Sequence, residues 1–514
     1  MRGLEQILAL FVAAVVLSAA ARRVGAPYPV FLAIGGALLA FVPGTRPFTI
    51  PPELALALFV APVLLDAAYD ASLRDLRDNW APVTGLVIFA VGLTTAAVAL
   101  VAHTFVPGMP WAAAIALGAI VAPPDAAAAT AVLRPLRPPH RIFTILEGES
   151  LLNDASALLI YRVAVGAVGA SGFSLGTIAP TFLFGVVGSV IAGLALAWLV
   201  IRLMERVQHI PTSIILQFVS TFGVWLLAER IGLSGVLTTV CYAIALARTG
   251  PERTPARMRI PSYAVWETIV FALNILAFIF IGLQIRPILD RLETTDSLRY
   301  VAIAGVVLLT VIVVRFAWQM SYNTISRWRH RRFGFNPPRP MLRPTLGSGL
   351  IVSWSGMRGI VSLAAALALP EAFPYRDLIV LTAFAVVLGT LVIQGLTLKP
   401  LLRWLALHDD DPVGRELSAA RERALSAGLA TFASDSSPAA EFARQAFTAR
   451  LGFEPSDPRA GQIAHRQIYG EAVDAARQAI LSMRTNDEIG DDAFHKLEEE
   501  LDQLEIAVRS EAEG

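Results

Sequence analysis

The chain has 514 residues, 55% of them hydrophobic and only 16% charged, with a net charge of +1 and one cysteine. Soluble domains carry about 25% charged residues. Here the apolar residues come in long unbroken runs, which excludes one large soluble core and points to a polytopic membrane protein. The lone Cys241 excludes a disulfide or a thiolate metal site within one chain, and no basic tract favours nucleic acid. Charge is unevenly placed. Residues 1–408 carry 31 Lys+Arg against 19 Asp+Glu, and residues 409–514 carry 11 against 22. A basic membrane body is followed by an acidic soluble tail.

In chain order, thirteen apolar spans are expected, at about 4–21, 28–43, 54–69, 82–104, 112–133, 141–168, 175–204, 212–229, 233–248, 264–286, 298–320, 349–370 and 377–405. The first, ending at Ser18-Ala19-Ala20, has the look of a signal-peptide core, but further spans follow at once, so it reads as a membrane helix. Arginine position sets the orientation. The loops after odd-numbered spans hold 19 arginines, among them Arg22, Arg74, Arg134, Arg202, Arg248, Arg253, Arg257, Arg327, Arg339 and Arg343, against 7 on the other side, among them Arg46, Arg286 and Arg376. The arginine-rich loops and the C-terminal tail are therefore expected in the cytoplasm and the N-terminus outside. The tail, 409–514, reads as a helical regulatory domain. Near its end Leu497, Leu501, Leu504 and Val508 form a short apolar seam, one face of a small helical domain or a place for self-contact or a regulatory ligand.

Span six, RIFTILEGESLLNDASALLIY from Arg141 to Tyr161, carries Glu147, Glu149, Asn153 and Asp154 well inside an apolar run. A charge at bilayer depth costs roughly 2.5–3.5 kcal/mol on insertion scales, so such groups handle ions or protons, or are neutralised by pairing. At 1.5 Å per residue, Glu149 lies about 12 Å and Asp154 about 20 Å into the span, near the midplane of a ~30 Å core. Span five holds Ala122-Pro123-Pro124-Asp125 at similar depth. Tandem prolines break the helix, and the freed carbonyls beside a carboxylate are oxygen ligands suited to a hard cation. Span twelve has a matching interruption around Gly356-Met357-Arg358-Gly359 and buries a cation, Arg358. Two Gly/Pro-broken helices in inverted positions are the sequence mark of a transporter site where two inverted repeats cross. Glu149 is the expected partner of Arg358 in a structural ion pair, leaving Asp125 and Asp154 exchangeable. A carboxylate taken out of water favours its neutral form, so such a site holds a cation or a proton in competition. Alternating access then gives exchange without nucleophile or cofactor.

These residues resemble the monovalent cation/proton antiporters, the sodium/proton exchanger family, in its bacterial NhaP-like branch with an Asn-Asp pair. The match lies in Leu146 to Leu158, in Pro124-Asp125 and in Gly356 to Gly359, with weaker echoes at Trp266-Glu267, Asn274, Phe278 to Gln284 and Gly395-Leu396-Thr397; it covers roughly residues 5–405. The resemblance implies an antiporter domain over 1–408 with core helices at about 82–168 and 298–405 and dimerisation helices at about 4–69 and 175–286. It implies a homodimer in the lipid of a bacterial inner membrane, moving in an elevator-like way. Asp125 and Asp154 would bind the Na⁺ or the proton, while Asn153, Glu149 and Arg358 stabilise the core and Pro123, Pro124 and Gly356 shape the broken backbone. The Asn-Asp pair implies electroneutral exchange. One departure is plain: many members have Thr or Ser before the fifth-span aspartate, where this chain has Pro124, and Ser150 is then the oxygen expected to replace it.

The expected function is thus secondary Na⁺/H⁺ antiport, with K⁺/H⁺ antiport as its nearest alternative. The chain is not an enzyme and needs no cofactor beyond the transported ions. A cation channel would need a continuous acid-lined pore, and an organic-anion symporter would not suit three acids set against one arginine. An intramembrane hydrolase would need a histidine or nucleophile set mid-span, and a receptor leaves the buried acids without a purpose. Plainer roles are expected elsewhere: Glu147 on the cytoplasmic side of its helix, Asp66 and Asp70 as interfacial caps, Arg162 and Arg315 at an interface or in a structural pair. His140 sits at the cytoplasmic mouth.

Overall fold

The computed structural model describes residues 2–42, 51–169, 175–253, 256–291, 297–334 and 344–407, and beyond them only short pieces, of which 426–431 is the longest. The chain divides into two compact units, Met1–Asp410 and Asp411–Gly514. In the second, residues 426–430 are helical. Leu497, Leu504 and Val508 of the expected seam lie outside the described residues, as do Arg46, Arg339 and Arg343.

In hydrocarbon every backbone N–H and C=O must find its partner inside the segment, so the apolar runs fold as helices. No strand occurs among the described residues. The helices are α1 (Arg2–Val24), α2 (Tyr28–Leu39), α3 (Pro52–Asp70), α4 (Leu73–Asp78), α5 (Trp80–Phe105), α6 (Trp111–Val121), α7 (Ala126–Leu133), α8 (His140–Gly169) and α9 (Leu175–Met204). They continue as α10 (Ile210–Arg230), α11 (Gly235–Arg253), α12 (Ala256–Leu283), α13 (Ile285–Leu289), α14 (Ser297–Phe333), α15 (Leu346–Trp354), α16 (Ile360–Leu367) and α17 (Arg376–Leu405). Among the described residues, nine stretches are long and apolar enough to cross a membrane, and α2 and Gly235–Thr249 are shorter apolar helices.

Local chemistry sets the ends. Pro29 and Pro211 stand in the first turns of α2 and α10, where a missing N–H loses no bond. Thr345 and Ser348 close a reciprocal capping box at the start of α15. Two helices run further than their apolar spans. The run expected at 298–320 continues as α14 to Phe333, and that expected from 264 begins at Ala256. Hydropathy marks only the part in hydrocarbon, while Arg327, Arg329 and Arg331 sustain helix beyond it.

Packing relies on small residues. Where α2 crosses α12, a Cβ on Gly36 would run into the Ile279 carbonyl and one on Gly282 into that of Ala33, so only glycine lets the backbones approach this closely. Large apolar side chains such as Leu8, Val12, Trp198, Leu309 and Val313 remain exposed, as faces turned to lipid do. The buried interior gathers around α6, α7, α16 and α17, with Leu117, Val121, Leu133, Leu363 and Leu391 almost wholly enclosed.

Candidate functional site

The two interrupted spans meet. Helix α6 stops at Val121 and α7 starts at Ala126; α15 stops at Trp354 and α16 starts at Ile360. Between them the Asp125 N–H donates to the Met357 carbonyl at 2.7 Å. Asp125 caps α7: its Oδ1 accepts from the Ala127 N–H at 2.8 Å, which places a carboxylate at the positive end of a half-helix. Gly359 stands against that carboxylate so closely that any Cβ there would collide with it.

Helix α8 supplies the opposite wall. Ser150 Oγ accepts from the Ala126 N–H at 3.2 Å. Asn153 Nδ2 donates to the Pro124 carbonyl at 2.9 Å, which fastens the irregular stretch between α6 and α7 to α8. Asn153 Oδ1 is buried and makes no hydrogen bond. Asp154 is 7% exposed and feels the charge of Asp125. The structure therefore brings together Asp125, Asp154, Ser150, Asn153, Pro124 and, across the crossing, Met357, Arg358 and Gly359. Two carboxylates, a hydroxyl and an amide oxygen form an oxygen-rich set of the kind that holds a hard monovalent cation or a proton.

The expected Glu149–Arg358 pair is not formed. Glu149 instead takes both hydrogen bonds of the Arg315 guanidinium, at 2.5 and 2.8 Å, with both side chains almost fully buried. Arg315 also donates to the Val352 carbonyl at 3.2 Å, and its side chain lies over Gly356, where a Cβ would displace it. Arg358 spends its donors on carbonyls: Nε to Val121 at 3.0 Å, Nη2 to Ala122 at 3.1 Å, and Nη1 to Gly356. A cation thus sits on the carbonyl end of α6, its negative end. The Arg358 N–H is tied to Thr390 Oγ1 on α17 at 3.0 Å. A lone arginine inside the span at 298–320 was legible, but the sequence offers two buried arginines for one buried glutamate and nothing in spacing chooses between them.

A cavity of about 930 Å³ reaches this cluster. One wall is α7 and α8, through Asp125, Thr130, Glu147 and Ser150; the other comes from α3 and α9–α12, through Asp66, Gln217, Trp266 and Asn274. Asp154 is not part of the wall. Arg134, Glu205 and Arg259 also line it, so the cavity extends toward the arginine-rich loops. Asp66 and Asp70, expected as interfacial caps, lie on the cavity wall with Tyr69 and Glu267. They were missed because a carboxylate at a helix end reads the same whether it faces headgroups or an aqueous funnel. Glu147 lies in this funnel, 3.8 Å from Arg134, and His140 pairs with Asp75 at 3.2 Å.

The family model for the transmembrane sodium/hydrogen exchanger matches residues 7–404. An uncharacterized Na⁺/H⁺ exchanger of Mycobacterium tuberculosis (strain ATCC 25618 / H37Rv) is 33% identical over 83% of this chain and 79% of its own length. A sodium, potassium, lithium and rubidium/H⁺ antiporter of Bacillus subtilis (strain 168) is 29% identical over 93% of this chain and 74% of its own. In fold, the chain is similar to the sodium proton antiporter MjNhaP1 from Methanocaldococcus jannaschii, with a TM-score of 0.58 and 17% identity, covering 79% of this chain and 99% of that one.

Proposed function

The chain belongs to the sodium/hydrogen exchanger family, and we propose that it is a secondary antiporter exchanging Na⁺ for H⁺ by alternating access, with Asp125 and Asp154 binding cation or proton in competition. The observation that carries this reading is the placement of Asp125. It stands at the contact of two broken helices and on the wall of the cavity, beside Ser150 and against Gly359. A cation arriving through the cavity meets carboxylate and hydroxyl oxygen there without losing all of its water first. Its binding displaces a proton, because two neighbouring carboxylates without a cation do not both keep their charge in such a place.

Ser150 supplies the oxygen that Pro124 withholds, and Asn153 holds the broken backbone of span five. Glu149, bound by Arg315, and Arg358, bound by carbonyls, keep fixed charges and carry no cycling proton. The open cavity on the arginine-rich side is the inward-facing state. With it go thirteen crossings, a core of about 82–168 and 298–405 against a scaffold of about 4–69 and 175–286, a homodimer in a bacterial inner membrane, the N-terminus outside and the tail, 409–514, as a cytoplasmic regulatory domain. K⁺ or Li⁺ in place of Na⁺ is the second reading, favoured by the breadth of ions in the name of the Bacillus relative and by Pro124 where a hydroxyl ligand would narrow the choice.

Proteoliposomes holding a pH gradient and a pH-sensitive dye test this directly. Na⁺, K⁺ and Li⁺ are added separately, with the natural chain beside Asp154→Asn. Dequenching by a cation, lost in the variant, supports the reading and names the ion. No response, or the same response in Asp154→Asn, overturns it.

A further inference from the structure

Helix α8 carries the site near its middle and is free of the scaffold on one side only. Along Glu147 to Leu151 it borders the cavity that separates it from α3 and α9–α12. Three turns beyond, toward the opposite membrane face, the separation closes. The Arg162 guanidinium donates to both carboxylate oxygens of Glu229, at 2.6 and 2.5 Å, and to the Leu233 carbonyl at 3.1 Å. Glu229 is the penultimate residue of α10, and its Oε1 also accepts the Gly235 N–H at 2.9 Å, the first N–H of α11. One side chain of the site helix is thus fastened to the turn that joins two scaffold helices. Around it Ser189 Oγ accepts from Ser234 N–H at 3.0 Å, so the receiving turn is itself held from α9. Among the described residues, Arg162 makes the ion pair that bridges α8 to α10 at the end away from the cavity.

We infer that Arg162 and Glu229 form the outer latch of the transport cycle: the pair closes when the site faces the cavity and must part before the site can face the other side. The inference rests on alternating access as proposed above. The parting follows from where the pair sits. While Arg162 fastens α8 to the α10–α11 turn, holding Glu229 through Nη2 and the Leu233 carbonyl through Nη1, the two elements cannot separate to admit water from that side. The two side chains are 41% and 36% exposed, so the pair is accessible to water and its rupture is not prohibitive; partly exposed pairs contribute about 1 kcal/mol at most. Such a contact biases an equilibrium without freezing it.

The test reads conformation, not exchange, so that its failure is distinct from failure of the antiport reading. In the full-length chain with Cys241→Ser, Ala131→Cys on the cavity wall reports the cavity-open state by its rate of reaction with a charged thiol reagent. Under conditions where the parent is at least half in the closed state, Arg162→Gln lowers the open-to-closed ratio about fivefold, so labelling falls to between about one third and one fifth of the parent rate. Arg162→Lys keeps the charge and stays near the parent rate. Glu229→Gln, whose amide oxygen still accepts the Gly235 N–H, gives the same fall as Arg162→Gln and serves where the latter fails to fold. Labelling at the parent rate in a folded Arg162→Gln or Glu229→Gln overturns the latch, as does a fall of equal size in Arg162→Lys.

Discussion

The two broken helices solve one problem in opposite ways. Between α6 and α7 the break is made by prolines and ends in an acid: Asp125 caps a helix start and faces the cavity, and its neighbours Ser150 and Asn153 come from a third helix. Between α15 and α16 the break is made by glycines and ends in a base: Arg358 is folded back onto carbonyls and is 1% exposed. The first break presents charge to water and the second hides it. The difference teaches where exchange chemistry can live. A group that trades proton for cation must be reached by both, whereas a guanidinium spent on three carbonyls can only hold shape.

The largest test of that contrast is Asp125→Asn. The amide still accepts from Ala127 and the fold remains, but cation-driven dequenching in proteoliposomes is expected to vanish; retained exchange would place the chemistry elsewhere. Next come the two glycines. Gly359→Ala drives a methyl group into the Asp125 carboxylate, while Gly356→Ala drives one into Arg315. A site displaced by about 1 Å can lose up to ~100-fold in rate, so Gly359→Ala is expected to cut exchange about ten- to hundredfold with a modest loss of thermal stability. Gly356→Ala is expected to lose stability first. Equal behaviour of the two would remove the distinction between the breaks.

The arginines sharpen it further. Arg315→Gln leaves Glu149 charged and buried without its partner, which costs about 3–5 kcal/mol. Arg358→Gln strips bonds from neutral carbonyls and costs about 1–3 kcal/mol. Thermal unfolding in detergent should therefore rank Arg315→Gln as the more destabilised, and the reverse order would mean that Glu149 leans on Arg358 after all. The smallest effect belongs to Ser150→Ala. Losing one neutral oxygen is worth about 1 kcal/mol, so the cation concentration for half-maximal exchange should rise about fivefold with the maximal rate little changed.

Much of this is legible in the amino-acid sequence. Pro123-Pro124 and the Gly-Met-Arg-Gly stretch announce breaks because they remove donors and side chains that a buried helix needs. Acids at 147–154 stand out because hydrocarbon tolerates so few. What stayed hidden depends on which helix lies beside which. The Glu149 partner is Arg315 because α14 passes over Gly356, a fact of packing that residue spacing does not carry. Asp66 and Asp70 read as caps because the wall facing them, from Gln217 to Asn274, comes from helices more than 140 residues later in the chain. Likewise α14 outruns its apolar stretch because helix propensity, unlike hydropathy, does not change at the membrane surface.

The most direct measurement of the central claim is proton release on cation binding. Na⁺ is added to the purified full-length protein in weakly buffered detergent solution, and the pH is followed with wild type beside Asp125→Asn and Asp154→Asn. Competition at one site predicts a proton released as each cation binds, weaker apparent cation affinity as the pH is lowered, and no release from either variant. Cation binding without proton release, or release unchanged in both variants, would contradict it.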